Sequence, residues 1–203
     1  MSDKATGTER FTRMIDATDD RILIMGAGNT IMGDEGIGPR CVEELTKHFE
    51  FPENVELMDA GTMGLSILDT LRDFDRLIVL DAAQGTGHEP GTVLLFTPEE
   101  LAENQVLHSA HDMRLVDVLK AATMMDIILK SCVIVGVQVQ SITQWVLELS
   151  EPVEAAVPIA CAAGLDQLSH LGIEPKLKDG VGPPGAILEA LENFAPQDEE
   201  APE

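Results

Sequence analysis

One stretch governs what this chain can become: Gly26-Ala27-Gly28-Asn29-Thr30-Ile31-Met32-Gly33-Asp34-Glu35-Gly36-Ile37-Gly38. The apolar run Arg21 to Met25 precedes it and reads as a buried strand; Gly36 to Phe49 follows and reads as a helix. A glycine-rich turn from strand to helix usually cradles a phosphate on the helix N-terminus. This one lacks the parts. The dinucleotide fingerprint wants a small residue at its sixth position for close helix–strand packing, and Ile31 stands there. No Gly-Lys-Ser/Thr follows, so it is not a P-loop either. The loop carries instead two acids, Asp34 and Glu35, between glycines. They fall at the carboxyl end of a strand, where open α/β sheets bind ligands.

The rest of the chain repeats the alternation. Val55–Asp59, Leu77–Asp81 and Val133–Val137 read as further strands, and Thr92–Phe96 as a fourth, edge-type one. The unbroken apolar run of Leu77–Leu80 suits a strand buried on both faces. Helices are expected over Gly64–Leu71, Asp112–Met124, Glu151–Leu171 and Ala186–Phe194. In the second of these, Leu115, Val118, Leu119 and Ala122 recur at helical spacing. Pro158 would kink the third helix or mark its true start. The fold expected is α/β: one domain with a twisted, mostly parallel five-stranded sheet and helices on both faces. Residues 1–20 read as a flexible N-terminal extension, 21–195 as the domain, and 196–203 as an acidic disordered tail.

The 203 residues carry 36 acidic and 13 basic side chains, a net charge of −23. That balance disfavours nucleic acid and anionic membranes as partners; its simplest meaning is solubility, though it also suits a basic partner, a cation or a high-salt cytoplasm. Cys41, Cys132 and Cys161 form no CxxC pair and are odd in number, as expected of a reducing cytoplasm rather than a disulfide framework. The first 20 residues hold no apolar signal-like core, and no apolar run reaches the ~18 residues of a membrane span.

Three strands run into acids: strand one into Asp34-Glu35, strand two into Asp59-Ala60-Gly61-Thr62, strand three into Asp81-Ala82-Ala83. In a parallel sheet these ends lie along one edge, so several carboxylates are expected to converge. Converging carboxylates need a cation or a shared proton. Carboxylates alone favour Mg or Ca; an imidazole added to them shifts preference toward Zn, Ni, Cu or Fe. Of the five histidines, His48 and His170 fall near helix C-termini, where a cation complements the dipole, and His88 falls in a Gly-rich loop. His108 and His111 precede the helix expected from Asp112, which puts His111 beside the strand ends. Spacing alone does not choose between a ligand and a capping histidine, nor between a ligand and a helix-start acid for Asp34, a turn residue for Asp81 or a turn-former for Asp59.

The motifs, taken together, resemble the hydrogenase maturation endopeptidases, which process the large subunit of nickel–iron hydrogenases. Ile24-Met25-Gly26-Ala27-Gly28-Asn29 with Gly33-Asp34-Glu35-Gly36-Ile37-Gly38 resembles the family's first motif, and Asp59-Ala60-Gly61-Thr62 its second. Leu77–Ala82 with Pro90-Gly91-Thr92 resembles the third, and Ser109-Ala110-His111 with Leu115-Val116-Asp117-Val118-Leu119 the fourth. Ile134–Gln138 with Leu149-Ser150-Glu151-Pro152-Val153 resembles the fifth. Each is weak alone; five in order, from Arg21 to Leu171, make a specific pattern. Ala60 stands where many members have glycine, and the segment before strand one is longer than the family core.

The resemblance implies that Glu35, Asp81 and His111 bind a metal, with Asp34 left as a helix-start acid and Asp59 as the family's other important acid. It implies hydrolysis of one peptide bond that frees a C-terminal extension after nickel insertion. The nickel is supplied by the substrate and replaceable in vitro by a divalent cation such as Cd or Zn. The catalytic acids are then Asp59, Glu35 and Asp81, and the class stays open between metal-activated water and Asp59 as a general base. The expected partner is the large-subunit precursor, met by a monomer in the cytoplasm. A non-catalytic nickel chaperone for the same subunit is the alternative. A nucleotide-binding domain is disfavoured by Ile31 and by Asp59, which lies too far from Gly26 to be the ribose acid expected about 20 residues on.

Overall fold

The structure, a computed structural model, describes residues 19–104 and 115–194. His108, His111, nearly all of the N-terminal extension and the acidic tail lie outside the described residues. Strands β1 (Ile22–Ala27), β3 (Val55–Gly61), β4 (Arg76–Ala83), β5 (Val93–Phe96) and β6 (Ser131–Gln138) form one five-stranded sheet in the order β3-β1-β4-β6-β5. All pair in parallel except β5, which runs antiparallel to β6 at the edge. β4 lies at the centre and is buried throughout, as its continuous apolar run requires.

The side-chain alternation of each strand divides the core in two. Ile22, Ile24, Ile78 and Leu80 face α1 (Ile37–His48) and α5 (Glu151–His170), with α6 (Gly185–Asn193) behind them. Leu23, Met25, Leu77 and Val79 face α2 (Ile67–Leu71), α3 (Pro98–Asn104) and α4 (Leu115–Met124). In α1 the stripe Ile37, Cys41, Val42 and Leu45 is buried, while the opposite side carries Arg40, Glu43, Glu44 and Lys47. α1 stops where Phe49 turns extended and pairs with Leu177, so that β2 (Phe49–Glu50) and β7 (Lys176–Leu177) form a small antiparallel ladder.

The sheet and the two helix layers match the expected architecture, with local differences. The ladder β2–β7 and helix α3 were not legible as elements. The expected helix 64–71 begins as a 3-10 turn, Gly64–Ser66. Pro158 does not start α5; the helix runs through it. The buried side chains of Val153, Ala156, Val157, Ala160, Cys161 and Leu168 hold both sides of that proline to the core. Asp20 does not belong to a loose extension. It is buried, and its carboxylate accepts from Arg76 Nε at 2.7 Å and from Lys130 Nζ. Both cations hold that carboxyl below its ordinary value. Among the described residues, no helix is long and apolar enough to cross a membrane.

Candidate functional site

The glycine-rich loop fills its own cradle. The N-terminus of α1 presses onto the ends of β1 and β4: a Cβ on Gly38 would lie 2.2 Å from the Ala27 carbonyl oxygen and 2.3 Å from that of Leu80. Gly38 therefore provides the close packing that Ile31 cannot. Gly28, at φ 134°, leaves 1.9 Å between a would-be Cβ and the Glu35 carbonyl oxygen. Asn29 N–H donates to that carbonyl at 3.1 Å, and Gly36 N–H donates to Gly33. The space a phosphate would take is thus occupied by the short 3-10 turn Asp34–Gly36, which drives Glu35 inward until it is 1 % exposed.

Asp81, at the end of β4, lies within range of the Glu35 charge. Its Oδ1 accepts the Ala82 N–H at 2.8 Å. Burial, together with the negative charge of Glu35, outweighs that bond and pushes the Asp81 carboxyl up from 3.8 to about 7. Asp81 lines a pocket at the carboxyl edge of the sheet with Ala27, Gly28, Thr62, Ile67 and Val118, and Leu115, the first residue of α4, lines the same pocket. His111 precedes Leu115 by four positions and is outside the described residues. Among the described residues, no three His, Cys, Asp or Glu side chains come together as a metal cluster.

The strand-end acids do not all face one crevice. Asp59 pairs laterally with Gly26, which pairs with Leu80. Lateral neighbours share a face, so Asp59 looks to the α1 side and Asp81 to the α2–α4 side. The surface agrees: Asp59 lines a groove with Arg40, Glu43, Lys47 and Leu147. Its Oδ1 accepts the Gly61 N–H at 2.9 Å, closing a turn that places Gly61 and Thr62 at the edge of the Asp81 pocket.

Asp34 is not a helix-start acid for α1. Its carboxylate, 1 % exposed, reaches away to accept from Gln140 N, Ser141 N, Ser150 N and Ser150 Oγ at 2.9, 3.1, 2.6 and 2.9 Å. Ser150 is the residue on which α5 begins. One carboxylate therefore fastens the Glu35 turn to the whole loop from β6 to α5. Backbone bonds complete the clamp: Gly33 N–H to Val146 O and Trp145 N–H to Ile31 O, both 2.8 Å. Nothing in the local sequence signals these partners, which lie more than 100 residues away.

The chain as a whole matches a known group. A family model described as hydrogenase maturation protease matches residues 39–167. The chain belongs to that family. It is 34 % identical over 165 residues to the hydrogenase expression/formation protein HoxM of Azotobacter vinelandii, covering 80 % of this chain and 79 % of the relative. It is 35 % identical over 157 residues to the hydrogenase 2 maturation protease of Escherichia coli, covering 76 % and 94 %. Among solved structures, the E. coli hydrogenase-maturating endopeptidase HybD superposes with a TM-score of 0.72 at 33 % identity, over 79 % of this chain and 99 % of that one. The [NiFe] hydrogenase maturation protease HybD of Thermococcus kodakarensis gives a TM-score of 0.60 at 28 % identity, over 73 % and 98 %. This maturation protease is accordingly a hydrolase of the endopeptidase type with their α/β fold.

Proposed function

We propose that this protein removes the C-terminal extension of a nickel–iron hydrogenase large subunit once nickel is in place, and that Glu35, Asp81 and His111 read that metal. The observation that carries the reading is the burial of Glu35 and Asp81 at the strand ends, near enough for the charge of one to act on the other. Burial and the charge of Glu35 disfavour ionisation of Asp81, and a cation bound beside the two carboxyls would remove that penalty. With the imidazole of His111 the donor set suits nickel, cadmium or zinc, and three protein donors leave positions for the substrate's own ligands or for water. Docking on these residues brings the scissile peptide carbonyl to the Asp81 pocket. There a water adds to the carbonyl carbon, its proton passes to the leaving amine, and the C–N bond breaks. The substrate's nickel, held by Glu35, Asp81 and His111, would supply Lewis-acid polarisation. Asp59, on the other face, supports the reaction by shaping the Gly61–Thr62 edge. The protease works as a monomer in the cytoplasm, where the precursor acquires its metal.

Intact mass of the large-subunit precursor, incubated with the protein before and after nickel loading, tests this. Shortening confined to the nickel-loaded form is expected, with loss of at least about a hundredfold in rate for Asp81→Asn and His111→Ala, the scale for removing a group that acts on the reacting centre. Full activity in both variants refutes the metal site. Binding of the loaded precursor without shortening points to a chaperone instead.

A further inference from the structure

The loop that Asp34 fastens exposes apolar surface. Trp145, the only tryptophan of the chain, is 82 % exposed; Leu147 is 65 % exposed and Ile31 41 %. Val146 between them is half-buried and paired to Met32, so Trp145 and Leu147 point outward from an anchored strand-like segment. Trp145 also takes φ +64°, a left-handed conformation that costs a bulky side chain roughly 1 kcal/mol or more. The backbone bonds from Trp145 to Ile31 and from Gly33 to Val146 hold it there. A strained backbone that keeps an indole in water, on a loop bonded directly to the Glu35 turn, is an anchor awaiting a partner.

We propose that Trp145, Leu147 and Ile31 form the docking lip for the protease's protein substrate, receiving an apolar, basic-flanked segment of the large-subunit precursor next to its cut site. The proposal rests on the function given above and names how that substrate is held. Two observations select this occupant. The lip belongs to the loop that the Gly33–Val146 and Asp34–Ser150 bonds fasten to the Glu35 turn, so a segment held on it lies beside the element that carries Glu35. The surrounding surface is acidic: Glu148 and Glu151 are exposed, no lysine or arginine occurs between Lys130 and Lys176, and Arg40 and Lys47, which line the groove beside Leu147, are already paired with Glu43 and Glu44. A second copy of the chain would bring the same acids face to face within a net charge of −23 per molecule, and an anionic lipid surface would be repelled. A basic-flanked polypeptide is attracted.

Because Trp145 is the sole tryptophan, biosynthetic fluorotryptophan gives a single fluorine NMR signal from the lip itself. The labelled Asp81→Asn protein, which does not cut, is titrated with an unlabelled nickel-loaded precursor that the wild type shortens. The signal is expected to shift or broaden. In parallel, Trp145→Ala/Leu147→Ala is expected to raise KM at least about tenfold with kcat within about twofold, as for loss of an aromatic anchor. Both side chains are exposed, so the variant is expected to melt with the wild type. A signal that stays still while precursor binds, or an unchanged KM, overturns the lip. A wild-type dimer that Trp145→Ala turns into a monomer overturns it in favour of a second copy. A wild type that cuts no precursor sinks the functional reading itself, a result distinct from cutting with a silent lip.

Discussion

Replacing Asp34 by alanine should loosen the protein at a buried point beneath an exposed loop. The carboxylate accepts three backbone N–H donors, from Gln140, Ser141 and Ser150, and one hydroxyl, at 2.6 to 3.1 Å. Hydrogen bonds to a charged acceptor contribute about 1.5–3 kcal/mol each, and a buried donor left without a partner costs ~1–3 kcal/mol. Simple addition would overshoot, since water enters and the Ser150 hydroxyl can turn elsewhere. A net loss of roughly 3–5 kcal/mol is expected, the range for breaking a buried charged network. At about 2–4 °C per kcal/mol in a chain of this size, Tm should fall by about 10 °C. Hydrogen exchange supplies the second readout: the amides of Gln140, Ser141 and Ser150 should lose protection together, while β4 keeps its own. Asp34→Asn tests the charge. One amide oxygen can serve Gln140 and Ser141, but the NH2 group then faces the Ser150 N–H, so it should recover only part of the loss. A Tm within about 2 °C of wild type, with those three amides still protected, would refute the clamp.

Two further substitutions probe the same edge of the sheet. Burial and Glu35 raise the Asp81 carboxyl from 3.8 to about 7, so the folded chain keeps a proton that the unfolded chain releases. Below about pH 4 both states are protonated and the burial costs nothing through ionisation; the cost grows from there to pH 7 and is full above it, up to roughly 4 kcal/mol at ~1.4 kcal/mol per pH unit. Urea unfolding in metal-free buffer should therefore show Asp81→Asn gaining on wild type as pH rises from 4 to 8; a difference that stays flat with pH would contradict the raised value. Gly38→Ala should unfold the α1 contact, because its Cβ would meet two carbonyl oxygens at 2.2 and 2.3 Å. A loss of at least about 3 kcal/mol is expected by the same urea assay, and a loss under 1 kcal/mol would mean that α1 does not press on β1 and β4 as described.

What the sequence disclosed and what it hid follow from range. The sheet was legible because a strand such as Leu77–Leu80 records its burial in consecutive residues, and α1 because its stripe repeats within one helix. The ladder of Phe49–Glu50 with Lys176–Leu177 was not, since two residues have no period. The strand-end acids were legible as a group but not by face. Placing an acid at a strand end leaves its parity undetermined by one residue, and one residue decides which side of the sheet it sees. Asp81, one step beyond Leu80, feels the charge of Glu35; Asp59, level with Leu80, faces the other side of the sheet. The adjacent pair Asp34 and Glu35 shows the limit most clearly. Both are 1 % exposed in the same 3-10 turn, and local rules for helix starts treat them alike. Their roles part only because the β6–α5 loop, more than 100 residues on, supplies four donors to one of them. Asp34 is thereby spent on structure, and the turn it fixes holds Glu35 near enough for its charge to act on Asp81. The clamp and the proposed metal site are consequently one construction: a change in the distant loop should move Glu35, and the loop that holds the site in place also carries Trp145 at its lip.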